Sequence, residues 1–243
     1  MTGPDADGYT VVTGGAGFLG SAVTDRLLAD GQRVVVLDRE TPARPEAHAF
    51  QVDLADEAAL ERVLGRLLEE RGAPGALALC HGWSPKGADG SRIPETDVPA
   101  DLFRQVIDAN LTSCFVLLRT LVPAMAAAGT GRVVAIGSAA AHTGRTTAGS
   151  AYAAAKAGVA ALVRTFGARY APQGVLINDV SPGKIANPNW PDSPEAIARY
   201  RQEIPMGRLA EAGEVADAIA FLLSHRNTYI TGQTVIVDGG RLP

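Results

Sequence analysis

Tyr152 and Lys156 stand four residues apart in "SAYAAAK", 150–156. On a helix that spacing puts both side chains on one face. A phenol beside an ammonium is a proton-transfer pair. At ~5 Å and an effective dielectric of ~20, the Lys charge favours a phenolate by ~3 kcal/mol. Such a group can take a proton from an alcohol or give one to a carbonyl oxygen. Spacing alone also fits a plainer reading, a surface Tyr/Lys pair on an Ala-rich helix. Two other residues bear on the choice. Ser138 ends a strand-like run 14 residues upstream of Tyr152. Asn110 lies mid-helix in "DANLTSCF", where an Asn otherwise faces solvent or bonds the carbonyl one turn back.

These residues need elements to hold them, and the chain alternates strands and helices. Strand-like runs are "YTVVT" (9–13), "RVVVLD" (33–38), "AFQVD" (49–53), "ALALC" (76–80), "RVVAIGS" (132–138), "VLINDV" (175–180) and "TVIVDGG" (234–240). Helical spacing occupies 18–30, 56–72, roughly 100–128, 150–171 and 211–224. Unbroken β-branched runs suit strands covered on both faces. Strands separated by helices imply parallel pairing and right-handed crossovers. The expected fold class is α/β, a doubly wound, Rossmann-type three-layer sandwich with a seven-stranded parallel sheet. The expectation is one dinucleotide-binding domain over 1–243, with a substrate loop and short helix at about 184–207. Ligands of such folds bind at the C-terminal ends of the strands.

Between the first strand and first helix lies "TGGAGFLG", Thr13–Gly20. It fits G-x-G-x-x-G at Gly15, Gly17 and Gly20, in the strand–loop–helix context a dinucleotide fingerprint requires. Gly15 is expected to make the tight turn, Gly17 to admit the pyrophosphate and Gly20 to let the helix pack on the sheet. The helix N-terminus offers N–H groups and a positive dipole end to phosphate. Gly14, Phe18 and Leu19 complete the cradle. The loop also fits T-G-x-x-G-x-x-G, a spacing similar to that of sugar-nucleotide epimerases, but the chain is too short for their extra domain. Asp38 closes the second strand, where an acid accepts hydrogen bonds from the adenosine ribose and repels a 2′-phosphate. This favours NAD over NADP, although the neighbouring Arg39 could hold a 2′-phosphate. Asp53 either bonds the adenine amino group or serves as an N-terminal acid for the next helix; Leu54 adjoins it.

At this point the sequence resembles the short-chain dehydrogenase/reductase family. The resemblance rests on "TGGAGFLG", Asp38, Asn110, Ser138, Tyr152-x-x-x-Lys156, "SPG" (181–183) and the ending "GRLAEAGEVADAIAFLLSHRNTYITGQTVIVDGG", all in order. It implies that Tyr152 exchanges a proton with the substrate oxygen and that Ser138 orients that oxygen. Lys156 assists Tyr152 and holds the nicotinamide ribose, and Asn110 anchors a water that passes the proton onward. Pro182, Gly183 and Ile185 would line the nicotinamide, and Asn187 would bond its carboxamide. The chain departs from the family pattern in places. Phe18 fills a usual glycine slot, and "LCHG" (79–82) stands where the family has N-N-A-G. Cys80 there replaces an Asn whose hydrogen bond steadies the sheet. His81 and Gly82 would lie beside the adenosine, His81 as a packed structural residue. Asn187 stands where Thr is usual. The gap from Ser138 to Tyr152 is one residue longer than the commonest.

The substrate pocket is expected from 82–99, 139–148 and 184–205, which carry Trp83, His142, Arg145 and Trp190. Arg145 would pair with a carboxylate or phosphate, or simply be solvated. His142 would face substrate or have no role. The loop 184–205 has no long apolar stripe, so a small polar alcohol or ketone is expected. The balance of 47% hydrophobic and 20% charged residues, with net charge −4, is ordinary for a globular protein. There is no basic tract, so no nucleic-acid partner is expected. Two cysteines, Cys80 and Cys114, read as free buried thiols. No metal site is read, no apolar run approaches a membrane span and no leader is visible, so a cytoplasmic location is expected. Small and apolar residues on the two long helices suggest a homotetramer or homodimer. The alternatives are an NADP-dependent ketoreductase of acyl or polyketide-like carbonyls and a non-catalytic dinucleotide sensor. Sensors of this kind tend to lose the Tyr or Lys, and both are present.

Overall fold

The computed structural model describes residues 8–87, 90–144, 148–189 and 193–242. Seven strands form one sheet: β1 (Thr10–Thr13), β2 (Val34–Asp38), β3 (His48–Gln51), β4 (Ala76–Leu79), β5 (Gly131–Ile136), β6 (Val175–Pro182) and β7 (Thr234–Val237). All pairs are parallel, in the order β3-β2-β1-β4-β5-β6-β7. The order reverses direction at β1 and β4, so a crevice opens at their C-terminal ends.

Side chains alternate across the strands, and this alternation builds the layers. Val11, Val35, Leu37, Leu77, Leu79, Val133 and Ile177 point to one face. There they pack under α2 (Glu57–Arg71), α4 (Ser113–Ala127) and α5 (Ser150–Tyr170). Val12, Val34, Val36, Ala78, Val134, Ile136 and Val180 point to the other, under α1 (Phe18–Ala29) and α7 (Ala212–Leu223). The doubly wound sandwich expected from the alternating pattern is the fold observed. Helix starts follow local chemistry. Asp56 caps α2 by accepting from Ala59 N at 2.9 Å, and Glu211 and Glu214 form a capping box on α7. A short helix, α6 (Pro194–Glu203), begins at a Ser193 cap in the segment between β6 and α7.

The long helix expected over 100–128 is not regular. α3 (Ala100–Ile107) passes into a π-helical turn, Asp108–Thr112, before α4. The widened turn is centred on Asn110, whose amide reaches out of the helix to a neighbouring loop (below). This rod, Ala100–Ala127, holds an 18-residue window with a mean hydropathy of 1.4 and is long and apolar enough to cross a bilayer. That corrects the expectation that no run approaches a span. Half of its apolar window is buried in the fold, so its hydropathy is that of a helix covering a sheet. β3 ends at Gln51, two residues earlier than expected, so Asp53 lies in the turn beyond it.

Candidate active site

The glycine loop is shaped by contacts that no side chain would tolerate. Gly14 adopts φ +66°, and a Cβ there would come within 2.8 Å of the His81 backbone. The tight turn is thus at Gly14, which corrects the assignment to Gly15; Gly15 instead packs on Val36. At Gly20 a Cβ would sit 1.9 Å from the Gly14 carbonyl oxygen, so the spacing to the start of α1 is fixed sterically. Gly17 is the exposed N-cap of α1, no side chain caps the helix and no acid stands in its first turn. The N–H groups of that turn are left for an anion. Phe18 and Leu19 open α1. Asp38 ends β2 with Oδ2 accepting from Ala16 N at 2.9 Å and Oδ1 from Glu40 N at 3.2 Å. The carboxylate is therefore braced against the loop and only partly buried.

Beyond Asp38 a surface groove of about 700 Å³ is lined by Arg39, Val52, Asp53, Arg62, Val63 and Arg66, among others. Asp53 does not cap α2, since Asp56 does. Its Oδ1 accepts from Ala55 N at 3.0 Å, which shapes the turn at the edge of this groove. Leu54 is buried beside it.

Lys156 is 2% exposed, and its Nζ donates to the Ile136 carbonyl at 2.7 Å, tying α5 to the end of β5. The same Nζ lies 5.6 Å from the centre of the Tyr152 ring, close to the separation the helical spacing predicts. Ser138 follows β5 by two residues and caps a 3₁₀ turn, Ala139–Ala141, accepting from Ala140 N at 3.1 Å. Its own hydroxyl proton remains available for a substrate oxygen. α5 packs against that turn, which brings the Tyr152 and Ser138 segments together. Asn110 is fully buried. Its Nδ2 donates to Val106 O at 2.9 Å and Trp83 O at 2.8 Å, and its Oδ1 accepts from Trp83 N at 3.0 Å. The amide pairs with Trp83 as a neighbouring strand would. Gly82 lets this loop approach closely: a Cβ there would lie 2.8 Å from Asn110 Oδ1 and 3.3 Å from Lys156 Nζ.

His81 is packed as expected, but it does more than fill space. Thr13 Oγ1 lies 2.6 Å from Nδ1 and Ser113 Oγ 2.8 Å from Nε2. The Ser113 hydroxyl also donates to Ala109 O at 3.2 Å. The consistent assignment has Thr13 donating to Nδ1 and Nε2–H donating to Ser113. His81 thereby ties β1 to the π-turn and α4. This corrects the expected loss of a steadying hydrogen bond at Cys80, because the next residue supplies one. Burial first, and the Lys156 charge second, push His81 down to about 3, so it is a neutral strut rather than an acid–base group. Burial likewise pushes the thiols of Cys80 and Cys114 up to about 12 and about 11. Cys114 is buried and Cys80 half-buried, and both are free.

On the substrate side, Trp83 is 43% exposed on a backbone clamped by Asn110. His142 follows the 3₁₀ turn, with Nε2 3.3 Å from Ser181 Oγ. Pro182 ends β6, and Gly183 is held by Gly183 N donating to Val237 O at 2.9 Å. Ile185 packs on the core, and Asn187 Oδ1 accepts from Asn189 N at 2.9 Å. Arg145 and Trp190 lie outside the described residues. Sequence reasoning passed over Asp179, a buried acid in β6 that Ser181 and Thr234 bond. Its signal was an acid inside the apolar run "VLINDV".

The family model described as enoyl-(acyl carrier protein) reductase matches residues 15–241. The chain is 34% identical over 239 residues to 2-dehydro-3-deoxy-L-rhamnonate dehydrogenase (NAD(+)) of Sphingomonas sp. (strain SKA58), covering 95% of this chain and 94% of that one. It is 35% identical to cis-4-hydroxycyclohexanecarboxylate dehydrogenase of Sinomonas cyclohexanicum, over 97% and 96% of the two chains. A crystal structure of a short-chain dehydrogenase from Leptospira borgpetersenii with bound NAD+ superposes with a TM-score of 0.88 at 26% identity, covering 97% and 92% of the two chains.

Proposed function

The chain belongs to the short-chain dehydrogenase/reductase family, and on that premise we propose that Ser138, Tyr152 and Lys156 carry out its chemistry on a small, polar, negatively charged alcohol or its ketone. It is an oxidoreductase that transfers hydride between NAD and the carbon of a secondary alcohol or ketone. The observation that carries the assignment of roles is the join of α5 to β5. Lys156 Nζ, hydrogen-bonded to Ile136 O, stands 5.6 Å from the Tyr152 ring centre, beside the strand end that leads to Ser138.

The residues present fit a dinucleotide. The loop Gly14–Gly20 has glycine where any Cβ would collide, and the first turn of α1 has no side-chain cap. Asp38, Asp53, Leu54, Cys80, His81 and Gly82 would border the adenosine half, His81 through its backbone. Pro182, Gly183, Ile185 and Asn187 would border the nicotinamide half. When bound, the dinucleotide takes up or supplies the hydride. In the oxidative direction Tyr152 accepts the alcohol proton while Ser138 donates a hydrogen bond to the same oxygen. Lys156, tied to Ile136 O, holds its ammonium 5.6 Å from the ring that takes part in this step. Asn110 and Lys156, whose side chains both close on Gly82, would hold the water that passes the proton on. In reduction each step reverses.

The negative charge on the substrate is suggested by the two curated relatives, whose names describe acids. An NADP-dependent reductase of acyl carbonyls is the second reading, favoured by Arg39, Arg62 and Arg66 around the groove beyond Asp38. The protein would act in the cytoplasm as a single domain. Phe115, 39% exposed, meets Phe166 edge-to-face at 6.4 Å across α4 and α5, an apolar face suited to a homotetramer or homodimer. The test is a panel of hydroxy acids, sugar acids and matching neutral alcohols, each with NAD+ or NADP+, following absorbance of the reduced cofactor. Turnover of hydroxy acids with NAD+ supports the reading. No turnover of the panel, with NADPH consumed when 3-oxoacyl thioesters are supplied instead, overturns it in favour of the second.

A further inference from the structure

We propose that Arg241, in the turn that follows β7, is a positioning residue for the substrate: by gripping Tyr200 and Glu203 it fastens α6 over the substrate pocket, beside the nicotinamide loop. The inference rests on the reading above that 184–207 is the substrate segment.

α6 belongs to an excursion rooted at the C-terminal end of β6, next to Pro182 and Gly183. Its two ends are pinned side by side, Ala186 N donating to Ala210 O at 2.9 Å and Ala210 N to Lys184 O at 3.0 Å. Between those ends there is little core. Tyr200 is the buried residue of α6, and Ile204 follows as the next. A helix of 10 residues is marginal by itself, so its place depends on what holds these side chains. The hold comes from the turn after β7. Asp238 shapes that turn, its Oδ1 accepting from Gly240 N at 2.9 Å and its Oδ2 from Leu242 N at 2.6 Å. On one side the turn meets the end of α6: a Cβ at Gly239 would lie 2.7 Å from Ile204 Cγ2, and Met206 N donates to Gly239 O at 3.2 Å. On the other it meets Gly183, where a Cβ would lie 2.7 Å from Asp238 Cβ. The turn is thus wedged between α6 and the nicotinamide loop.

Arg241 is the side chain this turn delivers. Its Cζ stands 5.1 Å from the centre of the Tyr200 ring, while its Nε and Nη2 donate to Glu203 Oε2 at 3.1 and 2.6 Å. Tyr200 and Glu203 are three apart, so one guanidinium spans both on one face of α6. A planar guanidinium can stack on a ring and bond a carboxylate at once, which an ammonium cannot. Two further cations face the same ring. Lys184 Nζ, from the residue after Gly183, and Arg199 Cζ, from α6 itself, each lie 5.5 Å from its centre. The loop after β6, the lid helix and the turn after β7 therefore meet at one buried phenol. An exposed ion pair alone contributes little. Here the ion pair shares its guanidinium with a buried ring, and the two together amount to roughly a tenfold bias towards a held α6 over a released one.

The experiment compares wild type with Arg241→Ala, Arg241→Lys and Glu203→Gln, by hydrogen exchange of the free protein and its NAD+ complex and by steady-state kinetics with the best substrate of the panel. In Arg241→Ala the amides of 194–203 should exchange roughly tenfold faster. KM should rise by up to the same factor, while kcat does not fall and NADH affinity is kept. Arg241→Lys, which keeps a cation at the ring and loses the fork, should recover part of both changes. Glu203 is exposed, so Glu203→Gln leaves folding intact and should shift both readouts the same way by less; it decides the case if Arg241→Ala does not fold. Unchanged exchange across α6 overturns the inference. So does a fall in kcat and NADH affinity in step with KM, the mark of a general structural defect. Faster exchange with KM unchanged overturns it as well, because α6 would then be held without covering substrate. If no member of the panel is turned over, the substrate reading fails instead, and the exchange rates still decide whether Arg241 fastens α6.

Discussion

Replacing His81 with Gln should change how stability depends on pH, by an amount the structure sets. His81 is buried, neutral and bonded at both nitrogens, with its folded value lowered to about 3 by burial and then by the Lys156 charge. An unfolded His titrates near 6.5. Between those values the unfolded chain binds a proton that the folded chain refuses. Stability therefore falls as pH drops through about 6.5, at roughly 1.4 kcal/mol per unit, until about pH 3. From pH 7 to pH 5 this one residue removes about 2 kcal/mol. Other groups titrate too, but they are shared with the variant and cancel in the difference. At pH 7 the variant should be less stable by about 1–2 kcal/mol, for the loss of a fitted hydrogen-bond pair. Urea denaturation at pH 7 and pH 5 measures both effects. His81→Gln should lose about 2 kcal/mol less than wild type over that interval. Parallel losses in the two chains would refute the picture of His81 as a neutral strut between β1 and α4.

Asp38→Ala removes the acceptor braced by Ala16 N and the repulsion of a 2′-phosphate; NAD/NADP selectivity, from steady-state kinetics with both cofactors, should shift toward NADP. Unchanged selectivity would refute its role. Asn110→Ala strands Trp83 N, Trp83 O and Val106 O. Each buried group left unpaired costs about 1–3 kcal/mol, so the melting temperature should drop. Turnover should fall while NADH affinity is kept, and unaltered kcat would exclude Asn110 from the proton path.

The layered fold was legible because the chemistry that makes it is local. β-branched runs bounded by glycine and periodic helices specify alternating elements, and Tyr152 and Lys156 share a face by helical geometry alone. What was not legible depends on partners distant in sequence. In "TGGAG" consecutive glycines conceal which one turns; His81, 67 residues on from Gly14, decides it by its backbone. The π-turn at Asn110 exists because its amide completes Trp83, a loop residue that periodicity does not see. "LCHG" looked like the loss of a sheet-steadying bond, and only the fold brings Thr13 and Ser113 to the two nitrogens of His81. Asp179 was hidden for the same reason, since its partners come from β7 and, through Ser181, from the loop after β5.

The central claim is that Tyr152 moves the proton, and Tyr152→Phe tests it most directly. The substitution removes one oxygen and leaves the ring that Lys156 faces at 5.6 Å. NADH affinity, measured by fluorescence titration, should be unchanged, while turnover of the best substrate from the panel should fall by at least a thousandfold, on the order of a full general acid–base contribution. Turnover within a few-fold of wild type, with NADH still bound, would contradict the account.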